Sequence, residues 1–88
     1  MDKIEAKKSV LAIVKQVDDV AYDELSEKKN IEDIKLSEYF DSLSIVLLNI
    51  EILARYPEAV HTAKEPLRKD TTMGDLINFF VEELQKKP

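Results

Sequence analysis

Apolar residues recur along this chain in three stretches, each with the three-to-four-residue spacing that lines up side chains on one side of a helix. In the first, Val10, Ile13, Val14, Val17 and the Val20/Ala21 pair make one stripe, and Lys7, Lys8, Lys15 and Gln16 fall largely outside it. The spacing predicts a helix over about residues 3–20. Residues 23–40 are polar, with scattered apolar anchors at Leu25, Ile31, Ile34 and Leu36. They read as a long connector with room for a helical turn; so long a connection in a small domain is usually functional or has structure of its own. A second helix is predicted from Ser42 to about Arg55. Asp41 is its N-cap, and Pro57 stops it because the residue before a proline resists helical geometry. A short helical turn is expected over residues 63–69, around Pro66. The last helix opens at Thr72-Met73-Gly74-Asp75, close to a capping box with Asp in the place of the usual Glu. Met73, Leu76, Ile77, Phe80, Val81 and Leu84 follow at helical spacing, and Lys86 and Lys87 stand where the C-terminal dipole favours cations. The expected fold is therefore all-α: a small antiparallel bundle of three long helices plus one short helix, a single domain over residues 1–88.

The second stretch is too apolar for an ordinary surface helix. At about 100° per residue, Ile45, Leu48 and Ile52 share one side, while Leu43, Val46, Leu47, Ile50, Leu53 and Ala54 spread over a wide second arc. Ser44, Glu51 and Arg55 make one narrow polar strip, and Ser42 with Asn49 makes another. A surface helix normally shows one apolar stripe, and here there are two. Either neighbours pack this helix on both sides, or one face packs inward and the other binds a partner.

Composition narrows the function classes. The 88 residues are 44% hydrophobic and 35% charged, too apolar for disorder. There is no Cys, which excludes disulfides and thiolate metal sites, and the single His61 leaves no His pair for zinc and no spare for a Ser-His relay. Net charge is −5 and unevenly spread: residues 1–17 hold four Lys against two acids, residues 18–41 three Lys against nine. An acidic chain repels phosphate backbones, so nucleic acid is not an expected partner, and a basic protein surface is the more natural complement. The start of the chain lacks the apolar core of a signal peptide and no apolar run approaches membrane-spanning length, so a cytoplasmic protein without membrane insertion is expected.

Asp41-Ser42-Leu43, opening an apolar helix near mid-chain of an acidic helical protein, resembles the acyl carrier protein family. Nearly the whole length corresponds: an opening helix, a long acidic connector, Asp-Ser-Leu starting the second helix, and Asp70-Thr71-Thr72-Met73-Gly74-Asp75-Leu76 leading the last. The resemblance implies an acyl-carrier-protein-like fold and no catalysis of its own. It implies that Ser42 receives 4′-phosphopantetheine and that Asp41 is the motif aspartate read by a phosphopantetheinyl transferase. It also implies that Leu43, Val46 and Ile50, with Leu47 and Leu53, present an apolar face to acyl-transferring or acyl-modifying enzymes, while Ile45, Leu48 and Ile52 point inward. A phosphodiester on Ser42 would sit beside a helix N-terminus, where free N–H groups favour an anion.

The chain departs from the family pattern in ways that bear on its partners. Tyr39-Phe40 stands where many carriers have Gly before the motif, and Ser44 where an acid often follows. Leu47, Leu53, Ala54 and Arg55 occupy positions where acids typically repeat, leaving Glu51 as the only acid on the helix. These differences point to a specialised carrier in fatty acid, polyketide or related biosynthesis, a monomer whose dedicated partners dock through apolar contact. The alternative is an unmodified helical interaction module that uses the same helix. Other candidate chemistry is weaker. The acid pairs Asp18-Asp19, Asp23-Glu24, Glu32-Asp33 and Glu82-Glu83 lack the ligand spacing and turn glycine of a calcium loop, so no metal site is expected. His61, Phe79-Phe80 and the cations Lys64, Arg68 and Lys69 read as surface or core residues.

Overall fold

The computed structural model describes residues 2–57 and 67–82. They form four α-helices: α1 (Lys3–Val17), α2 (Asp19–Ser26), α3 (Ser42–Arg55) and α4 (Met73–Glu82), with a 3₁₀ turn at Leu36–Glu38. No strand occurs among the described residues, and no helix there is long and apolar enough to cross a membrane. The radius of gyration is 12.0 Å, as expected for a compact chain of this length.

α1 starts where Asp2 accepts the Glu5 N–H at 2.8 Å. It ends sooner than the apolar spacing implies. Asp18 leaves helical geometry (φ −155°, ψ 102°), and its carboxylate accepts from the Val20 and Ala21 amides at 3.0 and 3.1 Å. The expected helix over residues 3–20 is thus two helices with a cap between them. The break turns Ala21 and Leu25 inward and leaves Val20 68% exposed. The expected connector correspondingly loses its first residues to α2. Residues 63–66 of the short turn expected over 63–69 lie outside the described residues, as do Leu84, Lys86 and Lys87; Leu67 and Arg68 are not helical.

What remains of the connector is braced on both sides. Asn30 Oδ1 accepts the Glu32 N–H at 3.0 Å, and the Glu38 carboxylate accepts the Lys35 N–H at 2.7 Å, two local side-chain turns of the kind that order irregular backbone. The segment then runs against the stretch before α4. Leu36 N–H donates to Thr71 O at 2.8 Å, Met73 N–H to Ile34 O at 2.8 Å and Gly74 N–H to Glu32 O at 3.0 Å, around an isolated bridge between Lys35 and Thr72. A Lys3–Glu32 ion pair ties the connector to the start of α1. α4 opens with reciprocal bonds between Thr72 and Asp75 (3.0 and 3.1 Å), so the Asp variant of the capping box closes as the sequence implies.

α1 packs against α2, α3 and α4. The core is wholly apolar among the described residues: Val10, Ile13 and Val14 of α1 meet Leu48 and Ile52 of α3 and Leu76, Ile77 and Phe80 of α4 in one cluster, completed by Ile31, Leu36 and Phe40 of the connector. Tyr56, just past α3, stacks edge-on against Phe80 with ring centroids 5.3 Å apart.

Candidate functional site

The site is built at the start of α3. Phe40 is buried, and its N–H donates to Leu36 O at 2.8 Å, which anchors the chain immediately before the helix. Asp41 follows in extended geometry (φ −82°, ψ 179°) as the N-cap, and its carboxylate accepts the Ser44 N–H at 2.8 Å. That backbone bond, with a further contribution from the Ser44 hydroxyl, holds the Asp41 carboxyl below its ordinary value of 3.8. Ser42, the first residue of α3, is exposed, and among the described residues no hydrogen bond or ion pair engages its hydroxyl. A buried anchor, a fixed cap and a free hydroxyl therefore succeed one another over three residues.

From there α3 divides into two faces. Ile45, Leu48 and Ile52 are buried in the core. Leu43, Val46, Leu47, Ile50 and Leu53 stay between 40% and 67% exposed, which makes five of the seven large apolar side chains exposed among the described residues. Both apolar arcs of the sequence are thus accounted for, one packed and one open to solvent. The polar strips differ in the same way. Glu51 accepts from Arg55 Nε at 3.1 Å on the exposed side, whereas half-buried Asn49 reaches the Leu67 N–H at 3.5 Å.

Asp41, Ser42 and Leu43 are consecutive at one end of the open face, and Val46, Leu47, Ile50 and Leu53 continue it along the helix. Elsewhere the acids are dispersed: no three His or carboxylate side chains come together among the described residues in a way that could hold a metal ion. Asp18 works as a helix cap instead. His61 and Lys64 lie outside the described residues. Sequence reasoning missed the bracing of the connector against the start of α4. Its one visible signal is Gly74, the sole glycine, placed in the first turn of a helix where a better helix former would be expected. Comparison with protein-family models, with curated proteins and with solved structures found no match.

Proposed function

We propose that this chain is an acyl carrier protein built as a small antiparallel helical bundle. It is a cytoplasmic monomer that holds acyl groups on a 4′-phosphopantetheine arm at Ser42 and delivers them to partner enzymes. The observation that carries the reading is the exposed, unengaged Ser42 hydroxyl at the first position of a helix whose adjacent outward face is apolar. The residues present suit the group. A hydroxyl at a helix start is open to another protein, the helix dipole favours a phosphodiester there, and among the described residues no side chain is hydrogen-bonded to it.

In loading, the Ser42 oxygen attacks the phosphorus of coenzyme A that bears the pantetheine. The new O–P bond replaces the pyrophosphate bond, adenosine 3′,5′-bisphosphate leaves with the electron pair, and the serine proton passes to a base of the transferase. The arm supplies a thiol for thioester formation, which this cysteine-free chain lacks. Asp41 keeps Ser42 at the helix start by capping Ser44, and Phe40 fixes the approach of the backbone.

A second reading, an unmodified interaction module, rests on the open face of α3 alone. Incubation with coenzyme A and a broad-specificity phosphopantetheinyl transferase separates the two. The carrier reading expects the intact mass to rise by one phosphopantetheine and Ser42→Ala to abolish the gain. A folded protein that several transferases leave unchanged would leave only the interaction module.

A further inference from the structure

A cleft of about 430 Å³ opens between the start of α1, the connector and α4. Its floor is apolar: Ile31 of the connector and Ile77 of α4 both belong to the buried core and show the cleft only an edge. One wall is Ile4 of α1, which is 70% exposed. Off α3, Ile4 and Val20 are the two large apolar side chains left exposed among the described residues, and Ile4 is the one that borders this floor. An apolar hollow with a few convergent polar groups at its rim is the usual make-up of a small-molecule site.

The rim is cationic. Lys3, Lys7 and Lys29 line it, with Glu32 as the one acid among the lining residues. Lys3 and Glu32 pair with each other, which leaves two positive charges. Among the described residues the side chains of Lys7 and Lys29 make no hydrogen bond or ion pair. They reach the cleft from different elements, α1 and the connector, and the Glu32 N–H donating to Asn30 Oδ1 at 3.0 Å orders the backbone beside Lys29. The start of a helix favours acids over cations, so Lys3 gains from Glu32; Lys7, one turn on, has no such partner. A neutral apolar ligand would leave both free cations unused, and an anion without an apolar body would leave Ile4 in water. We propose that this cleft binds a small amphiphilic anion, its acidic head between Lys7 and Lys29 and its apolar body over Ile4, Ile31 and Ile77. The inference goes beyond the carrier reading, because Ser42 takes no part in the cleft.

The test titrates the full chain with octanoate, octyl phosphate and octanol and follows backbone amide shifts by NMR. A ligand of this size should bind with a Kd of about 1 mM or below. The shifts should centre on Lys7, Asn30, Ile31 and Ile77. Either anion should bind about tenfold or more tightly than octanol, and the tighter of the two names the head group. Lys7→Gln/Lys29→Gln should weaken the anions about tenfold while leaving octanol unchanged, and Ile4→Ser should weaken all three. None of these side chains is buried, so the variants should keep the wild-type melting curve. Shifts confined to the open face of α3, octanol binding as tightly as the anions, or anion binding that survives the double lysine variant would each overturn the inference. So would the absence of any saturable shift at about 10 mM. Phosphopantetheine loading of Ser42 is read separately and stands or falls by itself.

Discussion

Gly74 opens α4 with its backbone against the connector. Its N–H donates to Glu32 O at 3.0 Å, and a Cβ at this position would stand 2.7 Å from that same carbonyl oxygen and 3.0 Å from the Glu32 Cβ. The glycine is there for close approach and not for its backbone freedom, since no residue of the described chain has positive φ. Ala is the better helix former by up to about 1 kcal/mol, yet Gly74→Ala should destabilise the protein by about 1–3 kcal/mol, because two backbones must separate. Chemical denaturation decides the sign: a stabilised variant would mean that the connector does not lie on α4. Asp41 makes a prediction in pH. Its carboxyl is depressed in the folded state by the Ser44 backbone bond, so its contribution is complete above the ordinary carboxylate value of 3.8 and is lost as pH falls through the lowered folded value. Asp41→Asn should remove that part of the acid-induced loss, and a melting-temperature profile from neutral to acid pH should be flatter than the wild-type profile. Profiles that stay parallel would mean that the cap bond does not hold the carboxylate.

On α3 the two faces predict opposite responses to the same truncation. Leu48 is fully buried, and Leu48→Ala should cost about 2–5 kcal/mol; Val46→Ala, on the open face, should stay within about 0.5 kcal/mol. Equal losses in urea unfolding would place both faces in a packed core. The sequence carried most of this element: its Asp cap, its proline stop and its two apolar arcs can be read directly, and periodicity marks the inward trio as one group. Which arc lies inside is not a property of the helix by itself, because it depends on where α1 and α4 pack. The α1–α2 break was hidden for a different reason. Val17, Val20 and Ala21 continue the helical spacing across Asp18, so the apolar pattern masks a cap that the Asp18-Asp19 pair could have signalled. The bracing of residues 32–36 by 71–74 is backbone-to-backbone, and such bonds leave almost no trace in residue type; only Gly74 betrays it.

At the scale of the molecule, the connector, the α4 cap and the helices share one apolar core, and α3 packs one face into it while the other stays exposed. No polar or charged side chain is buried among the described residues. On the outside, α3 offers a hydroxyl at its first residue and apolar side chains on its next turns. Charge follows the same division: in an acidic chain, the only two charged residues of α3, Glu51 and Arg55, pair with each other. The most direct measurement is the intact mass of the chain purified from the cells that make it, followed by fragmentation of the peptide containing Ser42. The account predicts an added phosphopantetheine, free or acylated, on that serine. An unmodified Ser42 throughout the purified population would contradict it.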